Sequence, residues 1–600
     1  MSPIRELWSI LTAQQRRSVL AAQFISIAMG SSTVVGIAAI APFFAVLGDP
    51  ALIDKIAPLR WLYAHAAFSS QRAFVAALGL AFIGLLLLAN LINVTGALAM
   101  NRLALRIGTE LQSTLFAEYL ARPYRFHAAT NSTRLFNNVI YEPARVTFGI
   151  LQHAFIAITN LLTASFIVVS ILLVKPLVAI AMIAGLAGGY ALIYLTVRNR
   201  LLRSGHAQSR LATEQAKIVN ESFGAIKEII VLQVQDFFRR RFERTSTALA
   251  ATSVHSQFVA QSPRHVMECV AAAGLVSLAL VLGAAQSGVG PWLGQLTFLA
   301  FAAYRLLPTL QQVFAAIVVI RADRAGLALI APDLLLARAS AQSQRLGSTR
   351  STEFQDCPRH EIRVIGASYR YATDRPWALN AVSLQIPSRA TVGIVGANGS
   401  GKTTLVDVIG GLLVPEIGSV EVDGRALNDA NRQSWQSRIA YVPQNIYLLD
   451  ASIAENVALG VCVREIHQER LGEALRLAQL DGLIATLPGG RDHKIGEHGI
   501  RLSGGQRQRI GIARALYKQA SVLLLDEATN ALDGLTEQEL IATLGKLRGR
   551  YTIVLVAHRM STVRACDVIF EVASGQIIDS GTYDGLLQSS AEFRRIAGIP

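Results

Sequence analysis

Six hundred residues exceed what one compact core organises, so at least two domains are expected. Hydrophobic residues make up 52 % and mean hydropathy is +0.40, which excludes an ordinary soluble domain and points to membrane spans. The net charge of +15 is uneven: residues 1–350 hold 30 Lys+Arg against 14 Asp+Glu, and residues 351–600 hold 26 against 27.

Basic residues that sit between apolar runs of spanning length read as positive-inside flanks, so no nucleic-acid partner is expected. Cys269, Cys357, Cys462 and Cys566 lie far apart without metal-ligand spacing and read as free thiols. Arg5, Arg16 and Arg17 precede an apolar stretch too long for a signal-peptide core and without a convincing cleavage pattern, so it is kept as the first span. A span needs about 20 apolar residues. Six candidates run at about 18–47, 73–97, 146–173, 176–197, 256–285 and 293–320.

The link at 48–72 carries Leu52, Ile53, Ile56, Leu59, Leu62 and Tyr63 at helical spacing beside Arg60 and Trp61. It fits an amphipathic helix in the outer interface, ended or bent near Pro58, and equally a lid packed over the bundle. The segments at 98–145 and 198–255 are long and basic, with ten Lys+Arg from Arg198 to Arg244. They are expected to be membrane helices continued into the cytoplasm, where about 20 extra residues add about 30 Å. This puts the N-terminus and the C-terminal domain inside as well. After Arg324 the periodicity fades, Ser340 to Thr352 is polar, and from Ile362 short apolar strands alternate with helical patterns. The expected fold is a membrane α-helical bundle over 1–335, a linker over 336–360, and an α/β phosphate-loop domain over 361–600.

Val392 to Val395 reads as a buried strand, and Gly396-Ala397-Asn398-Gly399-Ser400-Gly401-Lys402-Thr403 follows it as G-x-x-x-x-G-K-[ST]. Glycines let successive backbone N–H groups and a helix N-terminus face phosphates. Lys402 can reach the β- and γ-phosphates of ATP, and Thr403 can ligate Mg²⁺. Thr404 continues the loop. Downstream, Val522 to Leu525 is an apolar strand ending in Asp526-Glu527. Asp526 can hold Mg²⁺ through water, and Glu527 can polarise the attacking water. Alone, such a pair is more often a solvated turn; its order after a phosphate loop favours chemistry.

Between them stands Leu502-Ser503-Gly504-Gly505-Gln506, ahead of Arg507-Gln508-Arg509 and an apolar helix. This resembles the signature motif of ATP-binding-cassette ATPases. Gln444, in Tyr441-Val442-Pro443-Gln444, is similar to the Q-loop residue, which joins hydrolysis and the metal site. Ala531-Leu532-Asp533 resembles the D-loop, His558 the switch histidine, and Tyr371 the aromatic that stacks on adenine. An isolated histidine is more often structural; at the end of the Thr552 to Ala557 strand, His558 fits the functional role. The resemblance implies that Ser503, Gly505 and Gln506 complete the ATP site of a second copy, so that two cassettes sandwich two ATP molecules. Arg389-Ala390 and His493-Lys494 replace the Gly-Glu and Thr-Glu pairs that many members carry.

Six spans fused ahead of one cassette resemble exporters. Within them, the stretches Tyr119 to Tyr124, Asn131-Ser132, Ser262-Pro263-Arg264 and Tyr304 to Pro308 are similar to lipid-linked oligosaccharide flippases of bacterial protein N-glycosylation. Arg305 lies well inside the sixth span, where a charge is costly and marks a functional site or a structural pair. Arg264, near the cytoplasmic end of the fifth, either meets cargo or pairs with Glu268 one turn on. The expectation is a homodimer in a bacterial inner membrane, among membrane lipids, flipping a lipid-linked or hydrophobic anionic substrate. A general exporter of lipids, peptides or hydrophobic compounds is the alternative. An ATP-gated channel or regulator fits less well, since Glu527 and His558 are intact.

Overall fold

The computed structural model describes residues 3–38, 46, 57–65, 70–174, 176–285, 290–347, 354, 358–527, 534–557 and 559–598. Contacts divide the chain into two units, residues 1–122 with 130–346, and residues 123–129 with 347–600.

In the first unit the described part of each expected span is helical. The helices are Ala13–Ala38, Gln71–Ala121, Pro176–Gly224, Pro263–Ala285 and Gly290–Gly347, with a further rod built from Ser132–Ala144, a π-helical stretch Arg145–Leu151 and Gln152–Val174. The apolar first half of Gln71–Ala121 leaves Leu80, Leu87, Leu88 and Leu91 exposed, as suits hydrocarbon; its second half buries Met100, Ile107, Leu111 and Leu115 against neighbours. The π-helical stretch follows Pro143, which cannot donate to the helix ladder. A Cβ at Gly149, inside it, would come within 1.8 Å of Asp323 Oδ2, so only glycine lets these helices approach.

The helices Gln71–Ala121 and Pro176–Gly224 carry the second and fourth spans more than 20 residues into the long basic segments, as expected. Pro123 forces Arg122 into extended geometry (ψ 146°) and ends the first. Gly224 ends the helix of the second, and a short helix Ile226–Val231 and a turn at Gln233 (φ 55°) come before Gln235–Gln261. Residues 336–347, assigned to a linker, are instead helical, as Leu, Ala, Arg and Gln favour. Pro58 lies in the first turn of the described helix Ala57–His65, where its missing N–H costs nothing. On that helix Trp61 is exposed and stacks on His65 at 4.6 Å, while Tyr63 packs edge-on against Phe74 at 5.2 Å. Residues 47–56 and 66–69 of the same link lie outside the described residues.

The second unit has two sheets. One is antiparallel, in the order β2 (Leu379–Pro387), β1 (Glu361–Tyr369), β4 (Ile417–Val422), β5 (Arg425–Ala426). The other runs β10 (Gln576–Gly581), β9 (Val568–Ala573), β3 (Thr391–Val395), β8 (Thr552–Val556), β7 (Val522–Asp526), β6 (Ile439–Val442), parallel except for β10. β3, β7 and β8 are buried along their whole length, which explains their unbroken runs of Val, Ile and Leu. One core lies against β1, β2 and the helix Lys402–Ile409; the other lies against the helix Gly504–Tyr517 and the C-terminal helices. The C-terminal ends of β3, β7 and β8 therefore meet at one edge, where ligands bind in open parallel sheets. The helix Tyr124–Ala129 belongs to this unit, with Arg125 3.7 Å from Glu416 and over the Tyr369 ring at 6.0 Å.

Candidate functional site

The loop after β3 turns through Gly396 (φ 148°), Gly399 (φ 78°) and Gly401 (φ 106°). A Cβ at Gly396 would lie 2.0 Å from the Val572 carbonyl oxygen, and one at Gly401 2.5 Å from that of Ala378. Those two glycines are required by the protein's own packing. Gly399 has no atom within 4 Å of that position, which leaves its side of the loop open to a ligand. Asn398 is exposed at the tip. Gly401 caps the helix Lys402–Ile409, whose first N–H groups face the loop. Ser400 Oγ is buried without a hydrogen-bond partner among the described residues, a donor suited to a phosphate oxygen. Lys402 is buried; its Nζ donates to the carbonyl oxygens of Gly396 and Ala397, each at 2.9 Å, and burial lowers its pKa.

The strand-end acids come to this loop. Thr403 Oγ1 donates to Asp526 Oδ1 at 3.4 Å and the Tyr441 hydroxyl to Asp526 Oδ2 at 3.3 Å, while burial raises the Asp526 pKa. Gln444 Nε2 donates to Glu527 Oε2 at 2.5 Å. Glu527 has φ 49°, a left-handed conformation costly for a non-glycine residue, fixed here by its N–H donating to the Val556 carbonyl at 3.1 Å. The Tyr371 hydroxyl lies 3.1 Å from Thr404 Oγ1, with its ring edge-on to Tyr369 at 5.2 Å.

Ser503 is the N-cap of Gly504–Tyr517. Its Oγ accepts from the Gln506 N–H at 3.2 Å, and Gln506 Oε1 accepts from the Ser503 N–H at 2.9 Å. The signature is thus also a capping box, a pattern visible in Ser503-x-x-Gln506 that sequence reasoning passed over. This presents Gly504 and Gly505 at a helix N-terminus. His558 and Ala531-Leu532-Asp533 lie outside the described residues. Two further groups at the site have no role assigned from the sequence. Tyr441 bonds Asp526, and Asp407, one turn beyond Thr403, is 4 % exposed with a pKa pushed up to about 6 by burial and by Asp526.

In the membrane unit Arg264 Nε donates to Glu268 Oε1 at 2.7 Å, both side chains being well exposed. Arg305 differs: its Nε is buried and has no hydrogen-bond partner among the described residues. A cavity of about 1030 Å³, lined in part by Phe136, Glu142, Arg145, Phe223, Phe242 and Asp323, touches neither arginine.

A phosphate loop, a strand-end acid pair and a glycine-capped helix, in one chain with long apolar helices, define an ATPase built to drive a membrane protein. Residues 19–308 match the ABC transporter transmembrane region and residues 379–530 match the ABC transporter family. An ATP-dependent lipid A-core flippase of Ralstonia nicotianae is 32 % identical over 503 residues, covering 80 % of this chain and 79 % of that protein. The heterocyst differentiation ATP-binding protein HepA of a Nostoc species is 29 % identical, covering 83 % and 79 %. A bacterial Atm1-family ABC exporter solved with ATP bound shares the fold, with TM-score 0.78 and 21 % identity over 98 % of this chain and 99 % of that one. The chain belongs to the ABC transporter family, as a half-transporter with fused transmembrane and ATPase domains. It is a membrane protein that binds nucleotide and couples ATP hydrolysis to transmembrane transport.

Proposed function

We propose that two copies of this chain form a flippase for a phosphorylated glycolipid, such as a lipid-linked oligosaccharide, in a bacterial inner membrane with the ATPase domains in the cytoplasm. The observation that carries the cargo class is Arg305. A guanidinium whose Nε is buried with no hydrogen-bond partner among the described residues, in a spanning helix, is suited to fork onto phosphate oxygens, and it stays charged when desolvated. The curated relatives named for lipid A-core support the same chemistry.

At the ATP site, Lys402 leaves its two carbonyls for the phosphates, joined by the loop amides, and Tyr371 stacks on the base. Thr403 and Asp526, with Gln444 nearby, offer the hard oxygen donors that Mg²⁺ prefers. The ion would neutralise charge on the β- and γ-phosphates. Glu527, held by Gln444 and by its strained backbone, orients the attacking water, with His558, two residues past β8 in the sequence, as its partner in the reaction. Ser503, Gly505 and Gln506 serve the ATP of the other copy. One chain carries one phosphate loop and one signature, which supports a homodimer; a single copy with full turnover, weighed by mass measurement in nanodiscs, would contradict it.

The test of cargo is ATP-dependent translocation in proteoliposomes with three fluorescent lipids: a polyprenyl-diphosphate glycan, a lipid A-type glycolipid and a zwitterionic phospholipid. The first two should flip and stimulate hydrolysis. Equal transport of all three would establish the general-exporter alternative.

A further inference from the structure

Glu571 on β9 is 0 % exposed, and neither carboxylate oxygen has a hydrogen-bond partner among the described residues. Buried carboxylates are ordinarily hydrogen-bonded, and one that is not needs a reason. β9 pairs Ile569 and Glu571 with Gly393 and Val395 of β3. β3 pairs Ile394 with Val556 of β8, and β7 pairs Asp526 with the same Val556. Paired residues of a parallel sheet share a face, as Glu571 and Val395 do; Ala557 and Glu527 follow the Ile394, Val556 and Asp526 row by one residue and so lie at the same level. Three strand spacings separate the two glutamates by about 14 Å, so Glu571 cannot touch the reacting atoms.

On the same face lies the connection from β8 to β9, which crosses β3. A Cβ at Gly393 would meet Val563 Cγ1 at 3.0 Å and Cys566 Sγ at 3.3 Å. Gly393 pairs with Ile569, two residues before Glu571, so the start of the crossover, residues 559–562, lies at the level of Glu571. A different carboxylate holds that segment. Glu537 accepts from Arg559 Nη1, from Ser561 Oγ at 2.5 Å and from Thr562 Oγ1 at 3.1 Å. Glu537 takes three donors of this segment, and Glu571, at the same level of the sheet, takes none among the described residues.

We propose that Glu571 is a positioning residue for ATP hydrolysis: in the hydrolysis-competent state at least one donor of residues 559–562 passes from Glu537 to Glu571. An acceptor empty in one state and filled in another favours the second, which is what a bias between states requires. The segment begins one residue after position 558 and one strand from the phosphate loop, so the exchange sets the geometry of both.

The test uses the full chain in nanodiscs, with unfolding temperature measured without nucleotide and kcat and KM measured for ATP. Glu571→Leu should raise the unfolding temperature, because an unbonded buried carboxyl gives way to an apolar side chain. It should lower kcat about tenfold, the effect of one ordinary hydrogen bond, with KM within about twofold. Glu571→Gln keeps an acceptor oxygen and should hold kcat within about threefold. A leucine variant with wild-type kcat overturns the proposal. So does one that unfolds at a lower temperature, since the carboxyl would then have a partner already, and so does an equal loss of kcat in both variants.

Discussion

Buried charge is handled differently in the two units. In the membrane unit Arg145 is enclosed by opposite charge: Nε donates to Asp323 Oδ1 at 2.9 Å, and Nη1 to Glu142 Oε2 at 3.1 Å and to Ser209 Oγ. Arg122 is held likewise, by Glu118 at 3.0 Å and Asp333 at 3.1 Å. At the ATP site the buried charges rest on neutral groups: Lys402 on two carbonyls, Asp526 on two hydroxyls. Full pairing clamps helices together, whereas neutral partners can be exchanged for a phosphate or a metal at small cost. By that criterion Arg305, whose Nε is buried without a hydrogen-bond partner among the described residues, differs from Arg122 and from the carboxylate-held Nε and Nη1 of Arg145.

The contrast breaks most visibly at Arg145. Arg145→Met leaves Glu142, 1 % exposed at its side chain, beside Asp323 without their cation, which should cost about 3–5 kcal/mol. Thermal unfolding in detergent reads this, and a variant that melts with the wild type would show that the enclosure is not structural. Glu527→Gln should instead leave the fold alone, retain ATP binding and cut hydrolysis at least about 10²-fold. Turnover near wild type would remove Glu527 from its assigned role.

Arg305 sharpens the comparison from the other side. Among the described residues no carboxylate is paired with Arg305, so in Arg305→Ala folding and basal ATPase should persist while flipping of the diphosphate glycan falls at least about tenfold. Arg305→Lys keeps the charge without the fork and should recover only part. Arg264 already has Glu268, and an exposed pair of this kind is worth under about 1 kcal/mol, so Arg264→Ala should change flipping only slightly. Normal flipping by the Arg305→Ala variant would place that arginine among the structural charges.

The legible parts of the sequence were those with local cause. Spans follow from apolar length, and the phosphate loop from glycines, a lysine and a preceding strand. Interruptions at Pro123 and Gly224 were readable in principle, but the long basic segments masked them. What could not be read depends on tertiary pairing. The Asp323–Arg145 contact joins residues 178 apart, and the Tyr441–Asp526 bond spans 85. Glu571 reads as a strand residue in Ile569-Phe570-Glu571-Val572; only the pairing of β9 with β3 shows that it is fully buried. Arg264–Glu268 was readable as a one-turn pair, because helical spacing is local.

The smallest expected effect tests the ATP-site half of the comparison. Asp407 is 4 % exposed on the helix Lys402–Ile409, and burial together with Asp526 pushes its carboxyl up to about 6. A carboxyl with a raised pKa binds its proton more tightly in the folded state. Its contribution to stability is full below the unfolded value near 3.9 and is lost as pH rises through about 6. Nucleotide-free wild type should therefore lose about 1 kcal/mol at this group between pH 5 and pH 8. Asp407→Asn removes the titration, so the stability of the variant relative to wild type should grow by that amount over the same interval. Denaturation of the full chain at the two pH values measures it. A constant difference would mean that Asp407 does not titrate between pH 5 and pH 8, which would remove the pH dependence assigned to it.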